Sequence, residues 1–128
     1  MSAQSTEYKR IQEIFDIILQ TQRQITEIAM TRERFLNPIS ASDELIIEGI
    51  ENRIFRVAEE GGRMNEEAEL FGFERKAMSG LRNVLAHDYG QIDREIIWNV
   101  IEKDFPTLVK SCKRYCASLG VELQESKR

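Results

Sequence analysis

The spacing of the apolar residues is the strongest constraint on the fold of this chain. Apolar side chains recur every three or four positions along most of its 128 residues, which is the pattern of amphipathic helices. The chain has only 2 prolines and 7 glycines, too few for the many turns of a β-sandwich or barrel. We therefore expect an all-α protein, an up-and-down bundle of four or five helices that forms one domain over residues 1–128. Residues 1–6 and 121–128 are expected to fray.

Capping residues and helix breakers divide this pattern into five helices. The first is predicted to begin at Ser5 or Thr6 and to end at Pro38, because the residue before a proline avoids helical backbone angles. The others follow in this order: a second helix from Ser40 or Ser42 to Gly61-Gly62, a third from near Phe73 to Gly90, a fourth capped by Asp93, and a fifth capped by Asp104 and closed by Gly120. The segment from Arg63 to Gly72 is predicted to be a loop with a short turn.

Hydropathy and charge limit the environment and the partners of the chain. No run of apolar residues exceeds three in a row, so a membrane-spanning segment and the core of a signal peptide are not expected. We expect a soluble, cytoplasmic protein. The formal net charge of -4 and the pI of about 5.2 argue against a generic polyanion binder. Any contact with nucleic acid therefore requires a local basic patch or a second chain.

The two cysteines, Cys112 and Cys116, lie one helical turn apart on the fifth predicted helix. At that spacing their Cβ vectors are poorly placed for a disulfide, and two ligands are too few for a structural zinc site. We expect both cysteines to be small apolar residues on a buried face. No metal and no cofactor is expected.

His87 is the only histidine of the chain, so any imidazole chemistry must involve it. It follows Arg82 and Asn83 and precedes Tyr89, near the end of the third predicted helix. In a regular helix Arg82 and His87 lie about 140° apart around the axis and about 7.5 Å apart along it. Asn83 lies one turn before His87, where the two side chains can touch.

Small residues occupy the arc of the helix between Arg82 and His87. They are Ser79, Ala86 and, if the helix continues that far, Gly90. Large polar side chains flanking small ones describe a shallow concave surface. Such a surface suits a phosphate group or a nucleic-acid backbone that approaches the helix.

A histidine and an arginine in this arrangement suit cleavage of RNA without a metal ion. An imidazole can accept and donate protons near neutral pH, and a guanidinium can bind a phosphodiester and stabilise the charge that develops on it. The 2′-hydroxyl then attacks the adjacent phosphate and a 2′,3′-cyclic phosphate results. The reaction gains from both a base and an acid, which a symmetric dimer would supply by bringing two copies of His87 to one cleft. The residues alone also allow His87 to stabilise a helix end through the helix dipole.

The string Gly-Leu-Arg-Asn-Val-Leu-Ala-His-Asp-Tyr at residues 80–89 resembles the Arg-x4-His-x-Tyr signature of HEPN proteins of the HepT family. The resemblance covers roughly residues 7–119. The flanking segments that also fit are Ile92-Asp93, Ile97-Trp98, Asp104-Phe105-Pro106 and the arginine-then-glutamate pattern from Arg53 to Glu60. The chain departs from the family at Glu59, Gly61 and Gly62, where the family prefers a glycine followed by small alanines, and Glu60 is therefore assigned no role.

This resemblance implies a HEPN-like helical homodimer that acts as an endoribonuclease toxin beside an MntA-type minimal nucleotidyltransferase antitoxin. It assigns phosphate binding to Arg82, general acid–base catalysis to His87 and polar support to Asn83. It also assigns Tyr89 as the residue to which the antitoxin transfers AMP. The alternative is a non-catalytic HEPN subunit that binds and positions a nucleotidyltransferase partner.

Overall fold

The computed structural model describes residues 3–87 and 92–125, and its described part is all-helical, as predicted. The elements in chain order are α1 (Ala3–Glu27), α2 (Arg32–Leu36), α3 (Ala41–Gly62), a 3₁₀ turn (Glu66–Phe71), α4 (Arg75–His87), α5 (Arg94–Asn99), a π-helical turn (Val100–Asp104) and α6 (Phe105–Ser118). None of the described helices is both long enough and apolar enough to cross a membrane.

The long helices run up and down around one core. Contacts pair early residues of one long helix with late residues of the helix packed against it, so these packed neighbours are antiparallel. Between α1 and α3, Arg10 contacts Glu60 at 3.1 Å and Arg53 contacts Gln24. Between α3 and α4, Gly61 lies against Met78 and Phe55 against Arg82. Between α1 and α6, Glu7 contacts Tyr115 at 2.7 Å. The rod formed by α5, the π turn and α6 is the fourth member of the bundle.

The core is built from the apolar stripes of these helices. On α3 the predicted stripe is confirmed, since all five of its members are buried: Ile47, Ile50, Ile54, Val57 and Ala58. Cys112 and Cys116 are buried free thiols, as predicted. Burial raises the pKa of Cys116 to about 11, so this thiol stays protonated at neutral pH and contributes packing rather than chemistry.

A buried carboxylate holds three segments together. Glu7 of α1 is only 2% exposed, and its Oε2 accepts hydrogen bonds from the Tyr115 hydroxyl at 2.7 Å and from the backbone N–H of Asn65 at 2.8 Å. Burial, and then the hydrogen bond to Glu7, raise the pKa of Tyr115, which keeps this hydroxyl a donor. The two donors offset the cost of removing the Glu7 carboxylate from water.

The predicted end of the first helix at Pro38 is wrong. The helix α1 ends eleven residues earlier, at Glu27. Ala29 has a φ of 52°, and the N–H groups of Ala29 and Met30 donate to the carbonyls of Thr26 and Ile25. This is a Schellman ending, in which a left-handed residue reverses the chain after the last helical turn. The predicted cap at Ser5 or Thr6 is also wrong, since the helix already includes both residues.

The short helix α2 closes one end of the bundle. Its Phe35 is buried against Trp98 of α5, with ring centroids 5.4 Å apart, and the Trp98 indole N–H donates to Glu102 at 2.7 Å. Arg34 donates to the buried carboxylate of Asp43, a hydrogen bond that lowers the pKa of Asp43 below its ordinary value. These contacts fix α2 to both α5 and α3.

The capping predictions hold at the ends of three other helices. Ser40, one of the two predicted candidates, caps α3 by accepting from the N–H of Asp43 at 3.1 Å, and Asp93 caps α5 by accepting from that of Glu95 at 2.9 Å. Gly120 follows α6 with a φ of 73°, as expected of a glycine that closes a helix.

The prediction that Asp104 caps a separate fifth helix is wrong. Asp104 has helical backbone angles and makes no side-chain capping bond, and α5 continues into α6 through the π turn. The N–H of Phe105 donates to the carbonyl of Val100, five residues earlier. Pro106 has no N–H to donate and its ring clashes with the preceding turn, so the wider turn lets the helix continue past the proline.

Residues 121–128 form the carboxyl-terminal segment that is predicted to fray. The first residues of this segment lie along α1. The side-chain amide of Gln12 donates to the backbone carbonyl of Gln124 at 2.8 Å, and it accepts from the backbone N–H of Gln124 at 2.9 Å. The Tyr8 hydroxyl donates to the carbonyl of Glu122 at 3.0 Å. Side chains of α1 thus satisfy the backbone of this segment.

The left-handed Ala29 predicts that Ala29→Gly raises the free energy of unfolding by about 1 kcal/mol, because a Cβ is disfavoured at positive φ. Urea denaturation followed by circular dichroism measures the change. The matched control is Ala77→Gly in α4, where helical backbone angles make glycine unfavourable by roughly 1 kcal/mol. A loss of stability in both variants would contradict the assigned end of α1.

Candidate functional site

The site depends on the close contact between the end of α3 and the start of α4. A Cβ added to Gly61 would lie 2.1 Å from Met78 Cε, and one added to Gly62 would lie 2.4 Å from Ser79 Oγ. The sequence predicts these glycines only as a helix stop, which they are, and their role in helix packing was missed. Their lack of side chains lets α4 approach α3.

Arg82 lies on α4 and is held by side chains of α3. Its guanidinium lies over the ring of Phe55, with Cζ 5.3 Å from the ring centroid, and its Nη2 lies 3.7 Å from Glu59 Oε1. The side chain remains 36% exposed. An aromatic face and a carboxylate together restrict the guanidinium while leaving part of it open to a ligand.

Glu59 is shared between two arginines. Besides Arg82 it contacts Arg63, whose Nη2 lies 3.3 Å from the same carboxylate oxygen. Sequence reasoning missed Phe55, Glu59 and Arg63 as neighbours of Arg82. Phe55 and Glu59 are four residues apart on the predicted second helix, so they share one side of it and could have been identified as a pair, whereas Arg63 falls in the predicted loop.

Glu60 belongs to a different contact. Its Oε2 accepts from Arg10 of α1 at 3.1 Å. This half-buried ion pair joins α1 to α3, whereas the neighbouring Glu59 joins α3 to α4. The structure thus connects Glu60 to the packing of α1.

His87 is exposed and is the last residue of α4. Asn83 is also exposed. Its Oδ1 accepts a hydrogen bond from Arg82 Nη1 at 3.4 Å, so the Asn83 side chain contacts Arg82. Leu85, between them in sequence, is buried. The structure therefore places Arg82, Asn83 and His87 on the solvent-facing part of α4, while Leu85 packs into the core.

The small residues of the expected concave surface have different environments. Ala86 is exposed, but Ser79 is half-buried against Gly62 and forms part of the helix contact. Gly90 and the predicted modification site Tyr89 lie outside the described residues.

Another side of α4 borders an open pocket of about 230 Å³. Leu81 and Met78 form part of its apolar wall, and Asp104 and Glu74 supply carboxylates. Burial, and then the charge of Glu74, raise the pKa of Asp104. Over residues 3–87 and 92–125, no group of three His, Cys, Asp or Glu side chains is arranged to hold a metal ion.

A comparison with protein-family models matches residues 4–115 to the family described as "Ribonuclease HepT-like". The match covers most of the chain and confirms the expected resemblance to the HepT family. The chain belongs to the HepT-like ribonuclease family, which is of the HEPN type, and its helical bundle is consistent with that fold. Comparisons with curated proteins and with solved structures give no match.

The exposure of His87 predicts that His87→Ala changes the free energy of unfolding by less than about 0.5 kcal/mol. Leu85→Ala, a core truncation on the same helix, is expected to cost roughly 2–5 kcal/mol. Urea denaturation of both variants measures the difference. A loss for His87→Ala as large as that for Leu85→Ala would identify the histidine as a structural residue.

Proposed function

We propose that this protein is the toxin of a HepT/MntA-type toxin–antitoxin system and a metal-independent endoribonuclease. The observation that carries the proposal is the placement of Arg82 and His87. The guanidinium is held by Phe55 and Glu59, and the imidazole is exposed at the end of the same helix. Membership of the HepT-like ribonuclease family supports RNA as the substrate.

In the proposed reaction, His87 removes the proton from a 2′-hydroxyl, and the oxygen attacks the adjacent phosphorus. The bond from phosphorus to the 5′-oxygen breaks, and this oxygen receives a proton from His87 of a second copy of the chain, which acts as the acid. The products are a 2′,3′-cyclic phosphate and a 5′-hydroxyl. Arg82 stabilises the charge on the phosphoryl oxygens, and Asn83 supports the guanidinium through their hydrogen bond.

The proposal includes a homodimer, because the chain has one histidine and the reaction uses both a base and an acid. A two-fold axis near α4 would bring two copies of His87 to one cleft. Val84, which lies between Arg82 and His87 in sequence, is 41% exposed, and Ile96 of α5 is 52% exposed. These apolar side chains supply surface that a second copy would cover.

Regulation is proposed to act at Tyr89 through a nucleotidyltransferase partner of the MntA type. Transfer of AMP to the phenolic oxygen would add a bulky anion two residues from His87. The added group would block RNA sterically and repel its phosphates.

A second candidate, a non-catalytic subunit that positions the nucleotidyltransferase, is favoured by one observation. Arg82 already has a carboxylate partner in Glu59, so its guanidinium also has a role in joining α3 to α4. In that case removal of His87 would leave the biological effect intact.

Cleavage of single-stranded RNA by the purified protein in excess EDTA tests the main proposal. The intact mass is measured first, because a preparation already carrying AMP would be inactive. Wild-type protein is expected to leave 2′,3′-cyclic phosphate ends, and His87→Ala to be at least about a hundredfold slower through loss of acid–base catalysis. Asn99→Ala, an exposed polar residue of α5, is the matched control and should cleave normally. Absence of cleavage by unmodified, dimeric protein would favour the non-catalytic subunit.

Tyr89→Phe separates cleavage from its regulation. This variant retains the ring but lacks the oxygen that receives AMP, so we expect cleavage close to that of wild type and resistance to a co-purified nucleotidyltransferase with ATP. Intact mass and RNA cleavage, each measured before and after incubation, give the result. Addition of AMP to the Phe variant would place the modified residue elsewhere.

A further inference from the structure

Glu59 brings two guanidinium groups together beside the proposed cleavage site. Since Arg63 Nη2 lies 3.3 Å and Arg82 Nη2 lies 3.7 Å from the same oxygen, Glu59 Oε1, the two nitrogens are at most 7.0 Å apart. The two arginines come from different elements, the end of α3 and the middle of α4. This upper limit lets the two guanidiniums contact consecutive phosphates of one nucleic-acid strand.

The backbone of Arg63 is well anchored although its side chain is exposed. Its N–H donates to the carbonyls of Glu60 and Gly61, which closes α3. The next residue, Met64, is buried, and its carbonyl accepts from Arg75 at 3.1 Å. The side chain of Arg63 is 60% exposed. A guanidinium is thus presented to solvent from a fixed point on the backbone.

The charges of this group favour an anionic ligand. Arg63 and Arg82 carry two positive charges against the one negative charge of Glu59, in a chain whose net charge is -4. Exposed ion pairs are weak, so a phosphate can replace the carboxylate at little cost. A guanidinium also binds a phosphate through two parallel hydrogen bonds.

We propose that Arg63 and Arg82 form a subsite for two consecutive phosphates of single-stranded RNA. Arg82 binds the phosphate that is cleaved, and Arg63 binds its neighbour. Glu59 is a positioning residue that holds both guanidiniums before RNA arrives and then releases Arg63. This inference rests on the proposed ribonuclease function.

Binding is measured separately from cleavage with a single-stranded oligonucleotide whose 2′-oxygens are all methylated. This probe keeps the phosphates and has no 2′-hydroxyl to react. Arg63→Ala is expected to bind about tenfold more weakly than wild type at low salt, the effect of one lost charge-assisted hydrogen bond. The slope of log affinity against log salt should become shallower by about 0.7, the contribution of one phosphate contact on a single strand.

The matched control is Arg114→Ala, which removes another exposed arginine that lies over an aromatic ring. Arg114 Cζ is 5.9 Å from the centroid of Phe71, and the residue belongs to α6 rather than to the Glu59 group. It should leave the salt slope unchanged. Glu59→Gln keeps the size of the side chain and removes the competing charge, so its affinity for the probe should rise about threefold.

Cleavage kinetics then separate the roles of the two arginines. Arg63→Ala is expected to raise KM for unmodified RNA with kcat within about twofold of wild type, because it removes a contact made equally before and during the reaction. Arg82→Ala should lower kcat.

An unchanged salt slope for Arg63→Ala would overturn the subsite, even if wild-type protein cleaves RNA. Conversely, an Arg63-dependent slope in a protein that cleaves no RNA would support the subsite and reject the proposed catalysis. If no variant binds the probe and Arg63→Ala instead weakens binding of a purified nucleotidyltransferase, the arginine pair is a protein contact and the subsite is wrong.

Discussion

The close contact between α3 and α4 is the constraint on which the candidate site depends. Two glycines at the end of α3 leave room for Met78 and Ser79, and larger residues there would force α4 to shift. With α4 in this position, Arg82 lies over Phe55 of α3. The position of the Arg82 guanidinium is therefore set by packing several residues away from it.

This arrangement divides the requirements of folding and of chemistry between two sides of one helix. Leu85 faces the core, whereas Asn83 and His87 face solvent on the same helix. The site can consequently change without loss of the bundle. The acid–base role proposed for His87 depends on the exposed side of α4.

Local signals in the sequence predicted the local features of the fold. Ser40 and Asp93 cap helices because each needs only a donor within the next three residues. Features that depend on contacts between distant segments could not be predicted in this way. Glu59 becomes a bridge between arginines only when α4 lies against α3, and alanine, unlike glycine, carries no signal for the left-handed turn at Ala29. The predicted cap at Asp104 is wrong because a π turn has no simple sequence signature.

The packing of Phe35 against Trp98 gives the molecule an internal optical reporter. Trp98 is the only tryptophan of the chain, it is buried, and its indole N–H is bonded to Glu102. Its emission therefore senses the docking of α2 on α5 and reports little on the contact between α3 and α4. A spectral shift on addition of RNA or of a protein partner would locate a rearrangement at that end of the bundle without an added dye.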